Sequence, residues 1–193
     1  MEKKDVIQFF GRLAAQWDAN AAKDEGTIKL ILDNADVSEG KDILDVACGT
    51  GILIPDYLKR GAASVTAIDI TPEMAEIAKA KFPQNKVTVM CGDIEDADLG
   101  RLFDCIVVYN AFPHFPDPDS LIEHLALLLK PGGALTVAHG LSRETINAHQ
   151  KEHAHVSNGL MSAEELAELF ERYVTVTTVI ENDSMYQVAG KRI

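Results

Sequence analysis

Three segments place a carboxylate at or just past the end of an apolar run, and they are the chemistry the chain offers first. Ile43-Leu-Asp-Val-Ala-Cys-Gly-Thr-Gly51 puts Asp45 ahead of two glycines, Asp69 follows the run Ser64–Ile68, and Gly92-Asp93 follows Lys86–Met90. Gly49 and Gly51 let the backbone turn sharply and approach a ligand with no Cβ in the way. A carboxylate placed like Asp69 suits a ribose diol, at the strand edge where ligands of open α/β sheets bind. A dinucleotide site asks for G-x-G-x-x-G with a helix N-terminus facing the pyrophosphate. Here the third position after Gly51 is Ile54, and Asp45 would repel a pyrophosphate. The loop suits a ligand with a cationic part, an amino group or a sulfonium. Each acid alone is equally an ordinary strand–helix turn; three on successive strand ends are much harder to assign to chance.

Histidine placement is the second signal. His114 follows the fourth apolar run, His139 ends the fifth, and His149, His153 and His155 lie in residues 142–155. Neighbouring strands lie about 4.8 Å apart, so His114 and His139 are expected at one edge. If 142–155 is helical, with Ser142 as its cap, His149 and His153 share a face at i,i+4. His139, Arg143, His149 and His153 are therefore expected to wall an acceptor pocket with His114 at its floor, supplying a base or a grip on an anionic group. No Cys or carboxylate completes a metal-ligand spacing, so no metal site is assigned, although His139, His149 and His153 are the candidates for one. His124 reads as a residue of an amphipathic helix, and Cys48 as packing within the turn.

These residues need a scaffold that brings strand ends together. Short Val- and Ile-rich runs occur at Asp42–Val46, Ser64–Ile68, Lys86–Met90, Cys105–Tyr109 and Ala134–Ala138. Helical patterns at Ile52–Arg60, Pro72–Lys81 and Leu121–Leu129 separate them. Near-continuously apolar strands alternating with helices indicate a parallel sheet covered on both faces, and right-handed crossovers make it doubly wound. Residues 4–34 read as two helices. Ser162-Ala-Glu-Glu165 opens a helix to about Arg172 with a capping-box pattern, and Val174–Ile180 and Met185–Ala189 form a closing hairpin, so the sheet is mixed.

On Asp45-Val-Ala-Cys-Gly-Thr-Gly51, Asp69-Ile-Thr-Pro-Glu-Met74, Gly92-Asp93-Ile94, Asn110-Ala-Phe-Pro-His-Phe-Pro-Asp117 and Leu129-Lys-Pro-Gly-Gly133, the chain resembles the class I S-adenosylmethionine-dependent methyltransferases. It is similar to the ubiquinone/menaquinone-biosynthesis (methyltransferase type 11) group. The resemblance covers residues 8–140 and weakens to the general fold beyond. It implies an α/β, Rossmann-like, doubly wound seven-stranded sheet of order 3-2-1-4-5-7-6, the last strand antiparallel, with an N-terminal helical lid. It further implies Ala47, Gly49 and Gly51 beside the methionine moiety with Asp45 near its ammonium, and Asp69 on both ribose hydroxyls. Ile70 and Met74 would pack beside the adenine, Gly92, Asp93 and Ile94 would meet its amino edge, and Asn110 would face the reaction centre. Trp17, with Phe10, stands in the family's aromatic helix that folds over the cofactor, where Tyr is usual.

Composition limits the partners. The 193 residues carry 30 acidic and 18 basic side chains, a net charge of −12, which disfavours nucleic acid and anionic membrane. No run approaches a membrane span, and Asp5 and Gln8 interrupt the apolar run a signal peptide needs. Three cysteines without close pairs suggest a reducing cytoplasm. The expectation is one domain over 1–193, a helical cap at 1–34 and a Rossmann-like core at 40–193, methylating a small molecule from S-adenosylmethionine. The acceptor and oligomeric state stay open, a homodimer among the options. The rivals are an NAD-binding oxidoreductase or epimerase, and a cofactor-binding subunit without catalysis.

Overall fold

The parallel strands form because their residues are apolar on both sides. In a computed structural model describing residues 1–20, 23–83, 85–150 and 154–193, β1 (Asp42–Val46), β2 (Ser64–Asp69), β3 (Val87–Cys91), β4 (Phe103–Tyr109), β5 (Leu129–His139), β6 (Thr175–Glu181) and β7 (Tyr186–Lys191) build one sheet. Its order is β3-β2-β1-β4-β5-β7-β6. Strands β1 to β5 pair in parallel, and β7 runs antiparallel to both β5 and β6. The expected doubly wound, mixed sheet is the observed one. β6 alternates exposed and half-buried residues, as an edge strand does.

Side chains alternate between the two faces of a strand, and this sorts the core into two layers. Leu44, Val46, Ile106, Val108, Leu135 and Val137 turn to one face, under α6 (Pro118–Leu127) and α8 (Ala163–Phe170). Ile43, Val65, Ala67, Cys105 and Val107 turn to the other, under α3 (Glu25–Asn34), α4 (Ile54–Lys59) and α5 (Pro72–Lys81). The last helix opens as expected, with Ser162 and Glu165 in a reciprocal capping box.

Boundaries differ where a cap or strand competes. The helix expected at Leu121–Leu129 starts at Pro118, because Asp117 accepts Ser120 N–H at 3.1 Å and Pro118 supplies a first-turn φ. It stops at Leu127, since Leu129 already pairs with Phe103. The N-terminal stretch holds α1 (Lys3–Leu13) and a short α2 (Trp17–Asn20) separated by a 3₁₀ turn, then α3.

The sheet's two edges differ in character. At the amino edge, Lys130 bridges Asp42 and Asp104 at 2.8 Å each, Arg101 reaches Asp42 at 2.8 Å, and Ser64 Oγ donates to Asp42 at 2.6 Å. This network ties β1, β2, β4 and β5 together. At the carboxyl edge α1 and α2 fold across the strand ends. Lys3 is ion-paired with Asp93 and Glu95, and Asp18 is held by Thr50 at 2.5 Å and Lys81 at 2.7 Å. Among the described residues, no helix is long and apolar enough to cross a membrane.

The amino-edge network sets an acid limb. Hydrogen bonds from Lys130 and Ser64 hold the Asp42 carboxyl well below the usual range; at Asp104 burial works the other way, but Lys130 and the Asp42 N–H still bring it down. A depressed carboxyl contributes stability above its unfolded value of about 4 that is lost as pH falls through the folded value. Lys130→Met should cost about 0.5–1 kcal/mol at pH 7, the modest worth of partly exposed pairs. Its urea midpoint should also fall less than the wild type's between about pH 5 and pH 2.

Candidate functional site

A cavity of about 460 Å³ opens at the carboxyl edge, within the size range of small-molecule sites. Its floor is the loop after β1, its sides the ends of β2, β3 and β4, and its cover α1 and α2.

The loop after β1 needs unusual backbone. Ala47, Gly49 and Gly51 have φ of +52°, +56° and +82°, where glycine alone is unstrained. The two glycines serve different ends. A Cβ on Gly49 would meet nothing nearer than Trp17 Nε1 at 3.7 Å, on the cavity side, whereas one on Gly51 would strike Ile54 and Phe82 at 2.8 Å. Gly49 and Ala47 line the cavity; Gly51 packs into the protein.

Asp69 closes the loop from β2. Its Oδ2 accepts Gly49 N–H at 2.7 Å and its Oδ1 accepts Thr71 N–H at 2.8 Å. Burial pushes its pKa up while those two N–H groups oppose the shift. The Thr71 side chain opposes the shift as well, and the carboxylate keeps lone-pair capacity for a ligand. Ile70, Thr71 and Met74 continue the wall into α5, and Gly92, Asp93 and Ile94 extend it from β3. Asp93 accepts Glu95 N–H at 3.0 Å and the Lys3 ammonium.

The end of β4 makes the opposite wall. Asn110 sits at φ +54° and its Oδ1 accepts Gly140 N–H at 3.0 Å, tying β4 to β5. Beyond it His114 lines the cavity, its ring edge-on to Phe10 at 4.9 Å, and Phe10 in turn edge-on to Trp17 at 5.5 Å. His114 Nδ1 lies 2.6 Å from the Val156 carbonyl oxygen. A carbonyl only accepts, so Nδ1 carries the proton and Nε2 holds the lone pair. Burial lowers the His114 pKa, partly offset by that bond, so the ring is neutral at pH 7.

Trp17, Ala47, Gly49, Asp69, Ile70, Met74, Gly92, Asp93, Ile94, Asn110 and His114 thus line one cavity. Asp45 does not. It shares strand parity with Ile43, points toward Tyr57 beneath the loop and is 3% exposed. Burial pushes its carboxyl up to about 8, against the nearby Tyr57 hydroxyl and with the help of Asp69.

The expected histidine wall is not assembled by the described residues. His139 has the parity of Leu135 and Val137, pairs across the ladder with Tyr186, and lies edge-on to its ring at 5.9 Å. It is 2% exposed, its Nε2 has no hydrogen-bond partner among the described residues, and burial pushes its pKa down to about 3. Gly140, one residue on, reaches the cavity instead. Arg143 opens α7 (Arg143–Gln150), but its Nε donates to Leu160 O at 2.9 Å and its Nη1 lies 3.4 Å from Glu181. His149 is exposed, and His153 lies outside the described residues. Among the described residues no group of three His, Cys, Asp or Glu side chains is brought together as a metal site. Lys3, Glu95, Tyr109 and Leu141 line the cavity without having been expected there. Tyr109 adjoins Asn110 at the strand end and was legible from that; nothing local in the sequence marks Lys3.

Residues 43–133 match the family model of a methyltransferase domain. A malonyl-acyl-carrier-protein O-methyltransferase from Acetivibrio thermocellus is 36% identical over 138 residues, 70% of this chain and 49% of that protein. A ubiquinone biosynthesis O-methyltransferase from Vibrio vulnificus is 39% identical over 107 residues, 53% of this chain and 45% of that protein. The chain therefore spans about half the length of these curated relatives. The crystal structure of the N-methyltransferase NodS from Bradyrhizobium japonicum, in complex with S-adenosylhomocysteine, superposes with a TM-score of 0.76 at 17% identity, over 97% of this chain and 98% of that one. At that identity the likeness is one of fold.

A carboxyl raised by burial costs stability as pH climbs from its unfolded value of about 4 toward its folded value. Asp45→Asn removes that cost. Its melting temperature should therefore exceed the wild type's at pH 8, with the gap narrowing as pH falls toward about 4.5; a gap constant with pH would show that Asp45 is ionised in the folded protein.

Proposed function

We propose that the chain is an S-adenosylmethionine-dependent methyltransferase, like the proteins it is similar to, and that it transfers a methyl group from S-adenosylmethionine to a small-molecule acceptor bound beside His114. The observation that carries the reading is Asp69, a buried carboxyl whose two oxygens are aimed along the cavity wall by the Gly49 and Thr71 N–H groups.

The donor set fits the cofactor. Asp69 offers paired acceptors to a ribose diol, Asp93 an acceptor to an amino group, and Ile70, Met74 and Ile94 apolar flanks to a planar base. Gly49 leaves room for a methionine chain where a side chain would stand under Trp17. Asn110, fixed by Gly140 N–H, faces the same space from β4. The bound cofactor supplies an electrophilic methyl on a sulfonium whose leaving group is a neutral thioether, so alignment for in-line attack counts for more than acid–base power.

What the chain adds is placement and a base. Phe10 and Trp17 cover the cavity and exclude water. His114, neutral with Nε2 unprotonated, takes the proton of a hydroxyl or thiol acceptor as it attacks, or that of an ammonium before the free amine attacks. His139 is itself held neutral, by burial first and by the nearby His114 second. Three cysteines without a disulfide pattern support a reducing compartment, and the acidic surface supports a partner that is not a nucleic acid.

The NAD-binding alternative is disfavoured by Ile54 at the third glycine position and by no cationic side chain beside Gly49 among the described lining residues. Calorimetry should show S-adenosylhomocysteine binding and none for NAD. A panel of phenols, quinols, thiols and amines, followed by S-adenosylhomocysteine release, should find turnover for at least one; none at all would leave a binding subunit. For that acceptor, His114→Gln should keep S-adenosylhomocysteine affinity within about twofold and lower kcat by about 100-fold. Because burial lowers the His114 pKa, wild-type kcat should hold down to below the ordinary imidazole value of about 6.5 before it falls.

A further inference from the structure

The loop that carries His114 is held internally by a single 3₁₀ turn, His114 N–H on Ala111 O at 3.0 Å and Phe115 N–H on Phe112 O at 3.1 Å. Phe112-Pro-His-Phe-Pro116 contains two prolines, which donate no backbone hydrogen bond, so the carbonyls of Pro113, Phe115 and Pro116 need donors from elsewhere. One residue supplies all three. Asn158 N–H donates to Pro113 O at 2.9 Å, and its Nδ2 donates to Phe115 O at 3.1 Å and Pro116 O at 3.2 Å. Two residues earlier, the Val156 carbonyl accepts the His114 Nδ1–H. The segment therefore grips the loop on both sides of the imidazole and the imidazole itself.

That grip is anchored in turn. Val156 is fully buried and Leu160 is 2% exposed. The Asn147 side chain on α7 pairs reciprocally with Leu160, accepting its N–H at 2.7 Å and donating to its carbonyl at 3.0 Å, and Arg143 Nε adds a second donor to that carbonyl. Gly159, at φ +78°, lets the chain turn between the two anchors. Neither Asn147 nor Asn158 lines the cavity.

We infer that Val156–Leu160 is a positioning strap: Asn147 and Arg143 hold it to α7, and through Asn158 and the Val156 carbonyl it fixes the orientation and tautomer of His114. The inference rests on the reading of His114 as proton acceptor. Free neutral imidazole favours the proton on the side-chain-distal nitrogen, Nε2; the strap imposes the opposite tautomer and turns the basic lone pair to the cavity. Asn147 and Asn158 are positioning residues, acting on the acceptor only through His114.

Long-range ¹⁵N–¹H NMR of the full chain reads the tautomer directly, with His114 assigned by its loss in His114→Gln. The wild type should show Nδ1 protonated and Nε2 bare at pH 7.5. Asn158→Ala should populate the Nε2–H form and lower kcat about tenfold or more, with S-adenosylhomocysteine affinity unchanged. Asn158→Asp keeps the shape without the side-chain donors and should behave like the alanine variant. Asn147→Ala, three links from the cavity, should shift the tautomer in the same direction. A wild type already in the Nε2–H form overturns the inference without any variant. So do folded Asn158 variants that retain the Nδ1–H tautomer and wild-type kcat. If His114→Gln turns over normally, the base reading falls, and the tautomer measurement still decides the strap.

Discussion

One carboxylate joins the two loops on which the site is built. Asp69 ends β2, yet its Oδ2 is taken by the N–H of Gly49 after β1 and its Oδ1 by that of Thr71 at the start of α5. Burying an acid is unfavourable unless its oxygens are satisfied, and here backbone donors satisfy them. They also set the direction of the remaining lone pairs before any ligand arrives. The positive φ at Ala47 and Gly49 is held in place by the same bond. Remove it and Cys48 N–H on Ile68 O, at 3.1 Å, is left to tie the loop to β2, and the cavity loses a preset acceptor.

The remainder of the site is arranged around that anchor with different degrees of rigidity. The strand ends below it belong to a core with both faces covered. The cover above is held by charges at the surface: Lys3 on Asp93 and Glu95, Asp18 on Lys81. In α1 Val6 is buried and Phe10 packs against His114 and Trp17, so its apolar hold is small and ion pairs that salt weakens add to it. Both carboxylates that hold Lys3 also line the cavity, so cover and cavity share the same charges.

Most of the architecture could be read from the chain because parallel strands buried on both faces are continuous apolar runs, and their ends announce themselves by a polar residue. Asp69, Asp93 and Asn110 were legible for that reason. Direction within a strand was harder. Asp45 and His139 stand at strand ends too, but parity sends Asp45 toward Tyr57 with Ile43, and His139 toward Tyr186 with Leu135 and Val137. Parity does not separate Asp45 from Asp69, which follows Val65 and Ala67 on the same face; register does, because Asp45 pairs with Ala67 and so lies two residues short of Asp69 along the strands. Gly51 was misleading in another way: its missing Cβ makes room for Ile54 and Phe82, a packing need no motif reveals. The grip of Asn158 on the His114 loop, across more than 40 residues of sequence, has no local signature apart from the two prolines that make outside donors necessary.

The central claim is that Asp69 is the preset acceptor of the cofactor's diol, and a calorimetric titration tests it most directly. S-adenosylhomocysteine is titrated into wild type and Asp69→Ala, with far-UV circular dichroism and melting temperature confirming that both are folded. Loss of charge-assisted hydrogen bonds to the ligand should weaken binding by about 30-fold or more, roughly 2 kcal/mol. A folded Asp69→Ala protein that binds as tightly as wild type would contradict the account.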